Sequence, residues 1–124
     1  MKNALLILVL FLMGSKLLAQ KEIVGQWDTG KHNSVVEIYQ CDDGYFGKIV
    51  SSDNTKAKAG MPIIKDLKYS NGKWSALLYA VKRGEWYDAE IVEKGNELEI
   101  TVSVGLFFKT ISWSKMSAKD DSAV

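Results

Sequence analysis

The 124 residues include only one cysteine and one histidine. The single cysteine, Cys41, excludes an internal disulfide, so the fold must depend on one apolar core. With no second cysteine available, we interpret Cys41 as a partly buried, quiet thiol, with a redox or nucleophilic role as the alternative. A Ser-His-Asp or Cys-His arrangement would have to use His32, which we interpret as an exposed residue of the turn-like stretch 29–34.

An excess of charge of one sign is also missing. Sixteen lysines and arginines face 15 aspartates and glutamates, and the two signs are interspersed along the chain. Lys2 and Lys16 lie in the N-terminal segment described next, and without them 14 basic residues face 15 acidic ones. Binding to nucleic acid requires a clustered basic face, so we expect no nucleic-acid partner.

No apolar run is long enough to span a bilayer. The run 4–13 covers ten residues, whereas a membrane-spanning helix needs roughly 20. The run follows Lys2 and precedes the stretch LLAQ at 17–20, which is the pattern of a secretory signal with a small residue at the cut. We therefore predict a signal peptide at 1–19, cleaved after Ala19, and a periplasmic or extracellular mature protein. An uncleaved membrane anchor is the alternative.

Clusters of catalytic or metal-binding residues are lacking as well. The adjacent pair Asp42-Asp43 is better explained as a turn, because aspartate side chains bond nearby backbone amides. Asp88 and Glu90 share a strand face, but it is the face opposite the apolar one, so we expect them to be solvated. No strand, glycine-rich turn and helix follow one another as a phosphate loop requires. We therefore expect no metal, no cofactor and no catalytic residue.

What the chain does contain is a series of strand patterns. Apolar and polar residues alternate with period two between short turn signals, and no segment after residue 19 shows a helical stripe. This pattern predicts eight strands, at roughly 23–28, 33–41, 45–51, 61–69, 73–81, 85–93, 96–104 and 106–115. Pro62, the only proline, lies at a strand start, where its missing N–H does least harm.

Eight strands with short connections favour an antiparallel, up-and-down β-barrel, because closure hides the sheet edges. The domain would cover residues 20–116. Residues 51–60 are polar and lysine-rich, which predicts a mobile loop, and residues 117–124 should form a flexible tail. An eight-stranded barrel can be filled by side chains or can hold one small ligand.

The face with the fewest charges identifies candidate ligand-binding residues. The inward positions that we expect to line one continuous apolar interior are Trp74, Leu78, Tyr87, Ile91, Ile100 and Phe107. Such an interior suits an apolar or amphipathic ligand. The alternative is that the aromatic rings simply fill the core.

Four stretches carry a resemblance to a known family. Residues 23–27 (IVGQW), 34–50, 74–91 and 96–113 are similar in order and spacing to the DUF2147 family of small exported bacterial proteins. The resemblance covers residues 23–116 and implies a lipocalin-like barrel of unknown function. The start Gly25-x-Trp27, with a basic residue on the last strand, also resembles the lipocalin arrangement. That resemblance implies that Gly25 and Trp27 close one barrel end, with Lys109 as the cation that packs across the tryptophan. A place for Lys109 at the barrel rim is the alternative.

Together these observations predict an exported, non-enzymatic barrel that binds a small apolar or amphipathic ligand. The alternative is an envelope interaction or inhibitor module that acts through its loops and has a filled core.

Overall fold

The computed structural model of the chain describes residues 23–116. The predicted signal peptide, residues 1–19, and the predicted tail, residues 117–124, lie outside the described residues. Within the described range every regular element is a strand. No helix there is long and apolar enough to cross a membrane.

The eight predicted strands are confirmed, each within two residues of its predicted bounds. They are β1 (Gly25–Asp28), β2 (Val35–Cys41), β3 (Gly44–Ser51), β4 (Pro62–Ser70), β5 (Lys73–Ala80), β6 (Glu85–Lys94), β7 (Glu97–Val104) and β8 (Phe107–Lys115). Pro62 is the first residue of β4 and is exposed. The strands form where β-branched and aromatic residues alternate with polar ones between turn residues.

The predicted antiparallel up-and-down barrel is also confirmed. Each strand pairs with its neighbours in the sequence, and β1 pairs with β8 to close the ring. In that last pairing Trp27 lies opposite Lys115 and Asp28 lies opposite Ser114. Closure gives each end strand a partner on both sides, although only these two pairs join β1 to β8.

The connections alternate between the two ends of the barrel because consecutive strands run in opposite directions. Residues 29–34, 52–61, 81–84 and 105–106 connect strands at what we call the open end. Residues 42–43, 71–72 and 95–96 connect them at what we call the closed end, where the backbone of Ile23 also lies.

The half of the barrel toward the closed end is packed with large side chains. Trp74 is 1% exposed and meets the rings of Tyr45 and Tyr69 edge-on at 5.3 and 5.1 Å between centroids. The other large, fully buried side chains of this half are Ile23, Trp27, Ile38, Ile64, Ile91, Leu98 and Ile100. This half therefore supplies the apolar core that the lack of disulfides requires.

One wall bends sharply where β3 meets β4. The pairing skips residues between Tyr45↔Leu67 and Gly47↔Ile64, and Asp66 takes a left-handed φ of 55° beside the skip. Such a bulge increases the local twist. It also brings the backbone of Gly47 against the buried side chain of Ile64.

The prediction that Cys41 is partly buried is wrong. Cys41 is a free, exposed thiol at the end of β2. Val36 and Ile38 mark the inward face of β2, so Cys41 has the outward orientation and also lies at the last position of the strand.

Candidate ligand-binding site

Trp27 lies on β1, where the chain enters the barrel, and does not itself line the cavity described below. Its side chain is 1% exposed, and its indole N–H donates a hydrogen bond of 3.0 Å to the carbonyl of Ile23. Gly25, two residues earlier, has a φ of 141°, which side chains other than glycine rarely adopt. A Cβ at Gly25 would meet only the Lys115 side chain at 3.8 Å, so backbone conformation, and not close packing, requires glycine here.

The cation beside Trp27 is Lys115. Its Nζ lies 5.6 Å from the centroid of the Trp27 ring. The resemblance to lipocalins implied Lys109 in this role, and the structure corrects that assignment. Lys109 lies at the rim of a cavity at the open end, six residues along β8 from Lys115. Both lysines are on the same strand, so the sequence pattern could not decide which of them packs against Trp27.

The half of the barrel toward the open end is hollow. A cavity of about 390 Å³ lies there, within the range of roughly 300–1,000 Å³ that is usual for small-molecule sites. Its buried wall consists of Val36, Ile49, Ala57, Ile63, Val102 and Trp113, together with Ser34. Leu78, Tyr87, Val104 and Ile111 add partly buried apolar surface.

The cavity contains only two of the six predicted lining residues, Leu78 and Tyr87. Trp74, Ile91 and Ile100 point inward but are buried in the packed half, at 0–1% exposure. Phe107 does not line the cavity and is 78% exposed. It has the inward orientation of Trp113 and Ile111, but β8 extends past the rim at this point, where no opposite wall covers it. The expectation of one continuous lined interior is therefore corrected to a packed half and a hollow half.

The rim of the cavity is basic. Lys31, His32, Lys82, Arg83 and Lys109 line it, and no acidic residue does so among those that the structure describes. The four open-end connections contain five lysines and arginines and one aspartate, Asp53. The three closed-end connections contain two aspartates and no basic residue. The open end is thus positively charged although the whole chain is nearly neutral, so the net charge of the chain does not indicate this uneven distribution.

The connection 52–61 forms a bonded cap over the mouth, where the sequence predicted a mobile loop. The Ser52 hydroxyl lies 2.6 Å from that of Ser34 and accepts a bond of 3.0 Å from the Asn54 N–H. The Asp53 carboxylate accepts a bond of 2.6 Å from Asn33, and the Asp53 N–H donates to the His32 carbonyl at 2.8 Å. Ala57, 6% exposed, inserts from this cap into the core.

One wall of the cavity is incompletely paired. Strand β6 begins at Glu85, and its pairing with β5 extends to that residue. Its pairing with β7 begins only at Ala89↔Val102. The first four residues of β6, including Tyr87, therefore have ladder partners on β5 but not on β7.

The described residues give little basis for metal or acid–base chemistry. No group of three or more His, Cys, Asp or Glu side chains in residues 23–116 could hold a metal ion. Asp88 and Glu90 are exposed on the outer face, and Glu85 accepts a bond of 2.7 Å from the Tyr87 hydroxyl. What the arrangement offers is an apolar volume with a cationic rim.

A family model supports the resemblance seen in the sequence. The model, described as an uncharacterized protein conserved in bacteria (DUF2147), matches residues 25–115. The chain belongs to the DUF2147 family. The match runs from the first residue of β1 to the last residue of β8, so the family unit of this DUF2147 protein is the barrel itself. Comparisons with curated proteins and with solved structures found no match.

Sequence reasoning missed the basic rim, the cap and the role of Lys115 in this DUF2147 barrel. The rim could have been found by counting charges separately in alternate connections, since an up-and-down order places alternate connections at one end. The cap has no comparable signal, because the hydrogen bonds that tie it to the connection 29–34 join residues about 20 positions apart.

Proposed function

We propose that this DUF2147 protein is an exported binding protein, without a catalytic step, for a small amphipathic molecule that carries a negative charge. The apolar part of the molecule occupies the cavity, and its anionic group lies among the basic side chains of the rim. The observation that carries the proposal is the combination of an apolar cavity of about 390 Å³ with a rim that has cationic and no anionic side chains.

The wall chemistry supports binding through apolar burial. Each Å² of apolar surface removed from water contributes about 25 cal/mol, and the buried wall is aliphatic or aromatic apart from Ser34, whose hydroxyl is bonded to that of Ser52. A wall of this kind holds an apolar group without directing it to a reacting atom. That favours a container over an enzyme.

The rim supports selection by charge. Lys82 and Arg83 lie on one connection, Lys31 on another and Lys109 on β8, so cations surround the mouth from three directions. At physiological salt their field extends over about 8 Å, which covers an anionic group held at the mouth. A neutral ligand of the same shape would gain only the apolar contribution.

Two dyes that differ in one charged group test the proposal. 1-Anilinonaphthalene-8-sulfonate carries a sulfonate, and N-phenyl-1-naphthylamine has the same ring system without it. We expect one molecule of the sulfonate to bind per barrel, at least tenfold tighter than the neutral dye, which corresponds to about 1.4 kcal/mol. Raising the salt concentration should weaken sulfonate binding and leave binding of the neutral dye unchanged.

A substitution inside the cavity locates the bound dye. Val104→Trp fills the mouth region with an indole and should abolish binding of both dyes. Val92→Trp is the matched control, because Val92 lies on β6 with the outward orientation and does not line the cavity. Dye binding that survives Val104→Trp in a folded protein would place the dye outside the barrel and contradict the proposal.

A further inference from the structure

The hairpin between β7 and β8 ends in an apolar tip, formed by Leu106, Phe107 and Phe108. These three consecutive side chains are 94%, 78% and 76% exposed. The next most exposed large apolar side chain in the described part of the chain, Val24, is only 37% exposed. Isolated apolar residues on a surface are ordinary, but three large ones grouped at one projecting tip indicate an interaction site.

The tip lies beyond the last ladder pairs that join the hairpin to its neighbouring strands. Strands β7 and β8 stay paired up to Val104↔Phe107, whereas the pairing of β6 with β7 ends at Ala89↔Val102. The last residues of the hairpin thus extend two positions beyond the β6–β7 ladder, and on its other side β8 pairs with β1 only at Ser114 and Lys115. A two-strand extension of this kind can contact another molecule or surface without disturbing the barrel.

The surroundings of the tip are positively charged. The tip lies at the open end, whose connections carry five lysines and arginines and one aspartate. Lys109 follows the tip directly on β8, and Lys82 and Arg83 lie on the connection 81–84 at the same end. Glu85 is the nearest acidic residue in sequence to that connection, and its carboxylate accepts a hydrogen bond from Tyr87.

The outer wall near the open end also carries amphipathic rings. Trp86 and Tyr79 are cross-strand partners with ring centroids 5.1 Å apart, and Lys65 Nζ lies 4.2 Å from the Trp86 ring centroid. Tryptophan and tyrosine are enriched where a membrane meets water, because their rings have an apolar body and a polar group.

We propose that the β7–β8 tip docks the open end of the barrel onto a membrane surface that contains anionic lipids. Leu106, Phe107 and Phe108 enter the interface between headgroups and acyl chains, and Lys82, Arg83 and Lys109 face lipid phosphates. In this orientation the mouth of the cavity faces the membrane, so a lipid-derived ligand could pass between the two without crossing water. The docking itself does not depend on the binding of any ligand.

A protein partner fits the tip less well. A stable protein interface buries about 800 Å² on each side and has few charges at its centre. Three side chains bordered by lysines and arginine form a smaller and more strongly charged surface than that. A bilayer interface accepts a small apolar tip flanked by cations, because apolar insertion and attraction to anionic lipids add together.

Sedimentation with lipid vesicles tests the proposal, using the mature protein without added ligand. Vesicles of phosphatidylcholine alone are compared with vesicles that also contain phosphatidylglycerol. We expect binding to the anionic vesicles and at least roughly tenfold weaker partitioning to the neutral ones. The triple variant Leu106→Ser/Phe107→Ser/Phe108→Ser should reduce partitioning to the anionic vesicles by roughly tenfold or more.

A matched pair of charge variants controls for net charge. Lys82→Gln/Arg83→Gln/Lys109→Gln removes three cations at the open end and should weaken binding strongly. Lys68→Gln/Lys73→Gln/Lys94→Gln removes three from strand positions toward the closed end and should change binding much less. Equal urea midpoints for all variants would show that the fold is kept.

Three results would overturn the proposal. The protein could fail to bind anionic vesicles, or the tip variant could bind them as well as the parent does. The third is concentration-dependent self-association of the parent that the tip variant abolishes, without vesicle binding, which would identify the tip as a protein interface. Dye binding in the cavity is measured separately, so each proposal can fail without the other.

Discussion

The ammonium nitrogen of Lys115 lies 5.6 Å from the centre of the Trp27 ring, across the seam where the last strand of the barrel meets the first. The two residues are 88 positions apart in the chain and directly opposite in the register. The contact therefore forms only when the barrel closes. Because β1 is the shortest strand, with four residues, interactions of this kind supplement a short ladder of backbone hydrogen bonds.

A double-mutant cycle can measure the Trp27–Lys115 contact. We expect Trp27→Leu and Lys115→Met to show a coupling of about 0.5–1 kcal/mol in the free energy of unfolding, as for a partly exposed cation–π pair. Other contacts of Lys115 cancel in the cycle. The same cycle with Lys109→Met should be additive, and coupling to Lys109 in place of Lys115 would contradict the assignment.

Truncating Trp27 should be one of the most costly changes in the barrel. Trp27→Ala is expected to reduce the free energy of unfolding by about 3–5 kcal/mol, because it leaves a large void in the packed half. Urea denaturation followed by circular dichroism measures this. Trp86→Ala, at a half-buried outer position, is the control and should cost clearly less. Similar midpoints for the two variants would show that Trp27 does not close the barrel.

The close approach of Gly47 to Ile64 predicts a steric effect. A Cβ at position 47 would lie 2.9 Å from the Cβ of Ile64, so Gly47→Ala should cost about 1–3 kcal/mol through overpacking. At Gly44 an added Cβ would meet the ring of the half-buried Phe46 at 3.1 Å, and that ring can shift. Gly44→Ala should therefore cost less in the same denaturation assay, and the reverse order would be evidence against the bulged β3–β4 register.

The cap over the cavity depends on the hydroxyl of Ser52. Ser52→Ala removes its contact with Ser34 and the acceptor for the Asn54 N–H, leaving partly buried groups without partners at a cost of about 1–3 kcal/mol. We expect faster hydrogen exchange in residues 52–61 and faster dye release in stopped-flow measurements. Ser51→Ala, at the exposed neighbouring position, should change neither rate. Unchanged exchange in Ser52→Ala would mean that other bonds hold the cap.

Export has its own test. If the segment 1–19 is a signal peptide, the mature protein begins at Gln20, and N-terminal sequencing of protein from the periplasm or medium should read QKEIV. Disrupting the apolar run with Leu8→Arg should keep the precursor in the cytoplasm, whereas Leu8→Ile should not. A mature pool that retains Met1 would contradict the prediction.

Sequence patterns were most informative for features that follow from the local alternation of apolar and polar residues. In β7 the alternation of Leu98, Ile100 and Val102 with polar residues predicted both the strand and its buried face, because side chains of a strand alternate between core and solvent. The same reasoning placed Trp27, Trp74 and Trp113 inside, and all three are at most 4% exposed.

The same alternation failed for Phe107. The alternation of apolar and polar residues predicts the direction in which a side chain points. It does not predict whether another strand lies opposite that side chain at the same level along the barrel axis. Phe107 points in the same direction as Trp113, which is buried, yet it lies past the end of the β6–β7 pairing. Strand length relative to neighbouring strands is a property of the register, and register is set by turns and bulges together.

The sequence by itself determined an all-β chain of eight strands, their order in an antiparallel barrel and which side of most strands is apolar, because these depend on local periodicity and turn residues. Only the tertiary structure decided that the barrel is packed in one half and hollow in the other, that cations gather at the hollow end, and that Lys115 and not Lys109 covers Trp27. These features depend on strand stagger and on contacts between residues far apart in the chain. No local sequence pattern predicts these features, because the distance between two side chains on opposite sides of a closed barrel depends on the arrangement of all its strands.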